Sequence, residues 1–261
     1  DSSTSRGLGD VYKRQNLHRS LKPADIKHNL ATLKNVLTAT AEAKRIIREF
    51  KPDVAVGTGG YVCYPVLKAA SELGVPTAVH ESNAVPGLTT KMLEGSVDTI
   101  MVGFEESRAN YRHPDRVEVT GTPVRMDFLN PDKAAAKREL GIPEGRPLVV
   151  SVWGSLGAAH MNEIMTDFIV RACAKPFFNL IHSAGKAGYS RMSAALEREK
   201  PDYARLGMDV RDYIYDMPRV MAAADLVLCR AGASTLAELT AMGKPAILVP
   251  SPNVTNNHQA V

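Results

Sequence analysis

Leu148-Val-Val-Ser-Val-Trp-Gly-Ser-Leu-Gly-Ala158 is an apolar run of strand length that breaks into a glycine-rich turn and then into a helical pattern. A continuous apolar run suits a strand buried on both faces, as in a parallel sheet covered by helices. The same grammar appears upstream, where Asp53-Val-Ala-Val-Gly57 leads into Thr58-Gly-Gly-Tyr61. Working outward, further strand candidates are Pro76 to His80, Asp98 to Val102, Val117 to Thr120, Phe177 to His182, Asp225 to Cys229 and Ala246 to Val249. Helical stretches separate most of them. Such alternation implies crossover connections, and the fold class is α/β, with two Rossmann-like doubly wound parallel-sheet domains facing a cleft. A composition change from Met126 to about Pro147, rich in Pro, Gly, Ala and Lys, predicts a linker over 126–146 between domains at 16–125 and 147–261.

The chain has 261 residues, 44% hydrophobic and 23% charged, which excludes disordered, collagen-like and coiled-coil classes. No apolar run reaches the roughly 18 to 20 residues that a spanning helix needs. A net charge of +4 is too small to indicate a nucleic-acid protein, and none is expected as a partner. The basic excess sits mostly between Lys13 and Lys51, with ten bases against three acids. Three scattered cysteines without a C-x-x-C pair support neither a disulfide framework nor a zinc site. Asp1 to Gln15 has no apolar face and reads as a remnant outside the fold, and the chain stops in a helical pattern at Val261. Both domains are therefore expected to be incomplete.

Glycine-rich loops at successive strand ends, at Gly57, Gly154, Gly185 and Gly232, point to a nucleotide or diphosphate ligand held by backbone amides. A tight strand-to-helix turn alone also selects glycine. The dinucleotide fingerprint G-x-G-x-x-G fails because its sixth position from Gly57 is Val62, and no G-x-x-x-x-G-K-[ST] occurs. An Asp-x-Asp pair of the kind that holds a divalent ion on a sugar nucleotide is also missing. Neither metal nor cofactor is expected, and the diphosphate charge falls to amides and arginine.

Six ordered motifs then carry a specific resemblance: Gly57-Thr-Gly-Gly-Tyr-Val62, His80-Glu-Ser-Asn83, Gly121-Thr-Pro-Val-Arg125, Gly154-Ser-Leu-Gly-Ala158, Arg230-Ala-Gly-Ala-Ser-Thr-Leu-Ala-Glu238 and Asn256-Asn-His-Gln259. From about Asn16 onward the chain resembles the MurG family of bacterial peptidoglycan transferases. That resemblance implies a two-domain GT-B fold and transfer of GlcNAc from UDP-GlcNAc to undecaprenyl-linked lipid I, giving lipid II with inversion at the anomeric carbon. It also implies activity in a full-length parent, this chain alone being inactive. A sugar-nucleotide-binding module, a UDP-GlcNAc epimerase and a glycolipid synthase are the alternatives.

By the same resemblance the donor-binding residues are Asn83, Arg125, Ser155, Ile214, Ala233, Ser234, Thr235, Leu236, Ala237, Glu238, His258 and Gln259. Glu238 would hold the ribose hydroxyls, and Arg125 would stabilise charge on the departing diphosphate. Other roles compete. Thr235-x-x-Glu238 reads equally as a helix capping box, Arg125 as a surface arginine after a turn, Ile214 as core, and His258 as a polar loop residue. Gly59, Gly60 and Tyr61 would belong to the acceptor diphosphate site. His80 and Glu81 are the remaining candidates for catalytic base, although a strand-end histidine is also an ordinary structural residue. The amphipathic segment with Leu30, Leu33, Leu37, Lys27 and Lys34 matches the region with which the family touches anionic inner-leaflet lipid at the cytoplasmic face of the membrane. A core-facing helix with a solvated basic side is the alternative.

Overall fold

The computed structural model describes residues 38–129, 131–154, 158–251 and 259. The chain divides into two compact units that meet in sequence at Thr122–Pro123.

The first unit opens with a helix over 38–50 (α1), followed by β1 (Ala55–Gly57), α2 (Cys63–Glu72), β2 (Thr77–Glu81), α3 (Leu88–Leu93), β3 (Thr99–Val102) and β4 (Val117–Val119). The four strands are all parallel, in the order β1-β2-β3-β4. Ala43 and Ile47, one turn apart on α1, are buried against Ala69 and Ala70 of α2. Lys44 reinforces that seam by pairing with Glu72 at 2.6 Å. The described part of the basic segment is thus a core-facing helix, whereas Lys27, Leu30, Leu33, Lys34 and Leu37 lie outside the described residues, as do Asp1 to Gln15. A second cluster packs Leu67 of α2 and Leu93 of α3 against Val79, Ile100 and Val102 of the sheet.

The second unit contains α4 (Lys133–Glu139), β5 (Leu148–Val152), α5 (Ala159–Ala172), β6 (Asn179–Ser183), α6 (Tyr189–Glu199), β7 (Met208–Arg211), α7 (Met217–Ala223), β8 (Leu226–Cys229), α8 (Ala233–Ala241) and β9 (Ala246–Leu248). Its sheet is parallel throughout, in the order β7-β6-β5-β8-β9, so the chain reverses its direction of travel between β5 and β8. Alternate residues of β5 feed two cores: Leu148 and Val150 pack with Val220, Met221 and Val227, and Val149 packs on the side of Met165, Ile169 and Leu180. Each fully buried aliphatic side chain of this kind contributes about 1.5–3 kcal/mol.

Two sequence readings differ from this picture. The segment 126–146 belongs to the second unit: Phe128 and Ala136 are buried in its core, and Lys133 and Lys137 each reach a different oxygen of Asp225 at 2.6 Å. Its composition reads as a linker because an alanine–lysine helix that buries one residue carries little periodic signal. Strand β7 has no counterpart among the expected strands. It is an edge strand whose residues alternate between buried and half-buried, and its four residues Met-Asp-Val-Arg offer no apolar run.

Candidate functional site

At the carboxyl ends of the second unit's strands lies a cavity of about 630 Å³. It sits over the β5/β8 reversal, where an open parallel sheet splays its two connecting loops apart and leaves a crevice. Val152, Trp153 and Gly154 enter from the end of β5, Ser183 from β6, Arg230 and Gly232 from the end of β8, and Ser251 and Gln259 from beyond β9. Two helices begin here. Ala158, Ala159 and His160 at the start of α5 and Thr235 in the first turn of α8 line the same space. The first-turn amides of each have no acceptor within their own helix, and the helix starts bring the positive ends of two dipoles to the cavity, a setting suited to an anion.

Glu238 lines the cavity one turn further along α8. The capping-box alternative does not hold. The N-cap is Gly232, no side chain caps the helix, and Thr235 lies inside the helix at its third position. Burial pushes the Glu238 carboxyl above the usual carboxylate range, and the positive charge of Arg125 pulls the other way. The exposed Arg125 lays its guanidinium over the Phe128 ring at 5.3 Å and does not itself line the cavity. Ile214 lines the cavity and is also a buried member of the core. Gln259 accepts a hydrogen bond from the Ser251 amide at 2.8 Å through its side-chain oxygen. Of the remaining donor candidates, Ala233, Ser234, Leu236 and Ala237 lie on α8 away from the cavity wall. Ser155 and His258 lie outside the described residues.

Sequence reasoning missed Trp153, Arg230, Tyr213 and Ser183 as lining residues. Arg230 had a usable signal, a cation directly after an apolar strand and before a glycine turn. Its guanidinium lies over the Trp153 ring at 5.5 Å and donates to the Val249 and Pro250 carbonyls at 3.2 and 3.1 Å.

In the first unit, the turn between β1 and α2 takes positive φ at Gly59 (84°) and Gly60 (79°), a conformation in which any side chain would be strained. The Cys63 amide and thiol close this turn by bonding the Gly60 and Gly59 carbonyls, and Tyr61 is left half exposed at its tip. His80 and Glu81, the expected base candidates, are both buried and both engaged internally. His80 Nε2 lies 2.8 Å from the Gly121 carbonyl, which can only accept, so this nitrogen carries the proton. The lone pair on Nδ1 then faces the Ser82 hydroxyl at 3.3 Å. Glu81 accepts four bonds: from the Asn83 amide and side chain at 3.1 and 2.9 Å, the Gly87 amide at 2.9 Å and the Thr90 hydroxyl at 2.9 Å. A histidine whose ring nitrogens are both taken and a carboxylate with every lone-pair direction used organise the 80–90 loop, and the geometry gives no support to the base role expected for them. Asn83 is held in that loop by the same carboxylate. Among the described residues no group of three or more His, Cys, Asp or Glu side chains is arranged to hold a metal ion, and no helix is long and apolar enough to cross a membrane.

Comparison with known proteins places this geometry in context. Residues 15–102 match the glycosyltransferase family 28 N-terminal domain, and residues 148–261 match the C-terminal domain of the same family. A relative from Acetivibrio thermocellus, named UDP-N-acetylglucosamine–N-acetylmuramyl-(pentapeptide) pyrophosphoryl-undecaprenol N-acetylglucosamine transferase, is 41% identical over 98% of this chain and 70% of its own length. A relative of the same name from a Thermoanaerobacter species is 43% identical over 89% of this chain and 64% of its own. This chain thus spans about two thirds of the length of these relatives. Among solved structures, Acinetobacter baumannii MurG aligns with a TM-score of 0.64 at 28% identity, covering 88% of this chain and 61% of that one. The UDP-GlcNAc 2-epimerase of Neisseria meningitidis, at 14% identity and a TM-score of 0.59, shares the fold. On the strength of the two domain matches and the identity to these relatives, the chain belongs to the MurG family of N-acetylglucosaminyltransferases, within glycosyltransferase family 28.

Proposed function

We propose that this chain carries the donor site and part of the acceptor site of a transferase that moves GlcNAc from UDP-GlcNAc onto lipid I, forming lipid II in peptidoglycan synthesis. The observation that carries the reading is the convergence of two helix N-termini, Arg230 and the Glu238 carboxylate on one cavity at the strand-order reversal. Backbone amides and a guanidinium suit a diphosphate, and a carboxylate that ends in the cavity suits paired ribose hydroxyls. The acceptor's 4-hydroxyl attacks the anomeric carbon from the face opposite the diphosphate, the carbon–oxygen bond to UDP breaks, and the configuration inverts. Charge that builds on the departing diphosphate meets preorganised donors, so no divalent ion is required in this scheme. The attacking hydroxyl's proton needs an acceptor other than His80 or Glu81. Gly59, Gly60 and Tyr61 form the turn proposed for the acceptor diphosphate, at the start of α2. The basic segment around Lys27 and Lys34 is proposed to meet anionic lipid at the cytoplasmic membrane face, which would bring the site to its lipid-linked substrate.

Isothermal titration of the chain with UDP-GlcNAc, UDP and uridine tests the donor reading. UDP and UDP-GlcNAc are expected to bind with similar affinity, and uridine at least about tenfold more weakly, since charged hydrogen bonds to the diphosphate supply most of the affinity. Uridine binding as tightly as UDP, or no binding of UDP-GlcNAc, would overturn it.

A further inference from the structure

Beneath the cavity floor lies a line of buried polar side chains for which the transfer chemistry has no use. The Trp153 indole N–H donates to Ser151 Oγ at 2.9 Å, Ser151 Oγ meets His182 Nδ1 at 2.9 Å, and His182 Nε2 meets Asn162 Oδ1 at 3.2 Å. Asn162 Nδ2 then donates to the Ala184 carbonyl at 2.8 Å. Their chemistry permits one direction only. An indole nitrogen cannot accept, and the Asn162 oxygen cannot donate, so His182 carries its proton on Nε2 and accepts the Ser151 hydroxyl proton at Nδ1. The indole N–H, the Ser151 hydroxyl and the His182 Nε2–H are then each used. A second proton on His182 would leave Ser151 accepting from both neighbours and strand its own hydroxyl proton. Burial pulls the His182 pKa down to about 4, which keeps the ring neutral and the order intact at neutral pH. Space is reserved for the line as well: a Cβ on Gly188 would lie 2.2 Å from Asn162 Nδ2 and 2.7 Å from the Ala184 carbonyl.

The far end of the line is the cavity wall. Trp153 immediately precedes Gly154, and its ring carries the Arg230 guanidinium. We propose that His182 is a positioning residue that, through Ser151, sets the orientation of Trp153 and with it Arg230 at the donor cavity. This inference rests on the donor-site reading above and adds the group that fixes one wall of the site.

Trp153 is the chain's sole tryptophan, so its fluorescence reports this wall alone. His182→Leu and His182→Asn have nearly the same shape, but the Asn side chain can still accept the Ser151 hydroxyl proton. His182→Leu is expected to shift the Trp153 emission maximum and weaken UDP-GlcNAc binding about tenfold, the effect of one lost buried hydrogen bond. His182→Asn is expected to restore the emission maximum and bring affinity back to within about threefold of the unsubstituted chain, since the bond to Ser151 is kept. A packing role would move both variants equally, and that outcome overturns the proposal, as does unchanged emission and affinity in both. Ser151→Ala, which removes two hydrogen bonds and almost no volume, provides the same readout if His182→Leu does not fold: it is expected to shift emission and lower affinity, and no change in either overturns the proposal. If the unsubstituted chain binds no UDP-GlcNAc, the donor reading falls, while the emission comparison still decides whether His182 orients Trp153, equal spectra counting against it.

Discussion

Replacing Glu238 with Gln should move two measurements in opposite directions. The carboxylate is half-buried, and burial raises its pKa despite the opposing charge of Arg125, so the folded protein holds the ionised form at a cost. For a carboxyl raised in the folded state, stability is fully present below the unfolded pKa and is lost as pH rises through the folded value. At neutral pH the wild-type chain therefore bears that cost, and an uncharged Gln removes it, so the melting temperature should rise. Ligand binding should worsen. A carboxylate accepting two ribose hydroxyls makes charge-assisted bonds worth about 1.5–3 kcal/mol each when desolvated, and a site open to solvent on one side retains less, which leaves about 1–3 kcal/mol for Glu238→Ala. That corresponds to roughly a 5- to 150-fold rise in Kd, with Glu238→Gln nearer the low end because one amide oxygen remains to accept. Because the ionised form binds, wild-type affinity should begin to fall at a pH above the ordinary carboxylate range, and the Gln variant should lose this dependence. Thermal melting and calorimetric titration with UDP-GlcNAc over a pH series check all three. A Gln variant that melts lower and binds as tightly as wild type would mean the side chain stabilises its helix, and the ribose assignment would be wrong.

Asp225 gives a second pH test. Burial alone would raise its carboxyl, but bonds from Lys133, Lys137 and the Leu148 amide outweigh that and bring it from 3.8 to about 2. Its stabilisation is present above the unfolded value and lost as pH falls through the folded one, so Asp225→Asn should cost about 1–2 kcal/mol at pH 7 after discounting for solvent. Urea unfolding should show that difference narrowing between pH 4 and about 2, and a pH-independent difference would refute the linkage. Glu81→Gln places an amide N–H against donors that now meet a carboxylate, and should lower urea stability by about 2–3 kcal/mol; a loss under about 0.5 kcal/mol would contradict its role in holding the 80–90 loop. Gly188→Ala pushes a methyl into Asn162 and should lower stability by about 1–3 kcal/mol with a shift in Trp153 emission; an unmoved spectrum would show that the line of hydrogen bonds tolerates the intrusion.

What the sequence disclosed and what it withheld follow from how each feature is encoded. Parallel strands buried on both faces are written as continuous apolar runs, and for that reason Leu148 to Val152 and Leu226 to Cys229 are plain to read, while the edge strand Met208–Arg211 is not. Glycine turns after strands are local in sequence, so the cavity's position was legible from Gly154 and Gly232, and the resemblance named Thr235, Glu238, Ile214 and Gln259, which all line it. The roles of His80, Glu81 and His182 are set by partners that the sequence does not mark. Glu81 is occupied by donors up to nine residues away, His80 by a carbonyl 41 residues on, and His182 by Ser151 and Asn162, 31 and 20 residues back. A histidine at a strand end looks the same in sequence whether its lone pair faces substrate or a serine. The distinction lies in the tautomer, and the tautomer is fixed by whichever acceptor the fold brings to the other nitrogen. For His80 that acceptor is the Gly121 carbonyl and for His182 the Asn162 oxygen, so in both residues the remaining nitrogen is directed at a hydroxyl of the protein itself. The same reasoning sets the requirement for the missing base: a side chain whose proton-accepting atom is left facing solvent or substrate, which neither buried histidine provides.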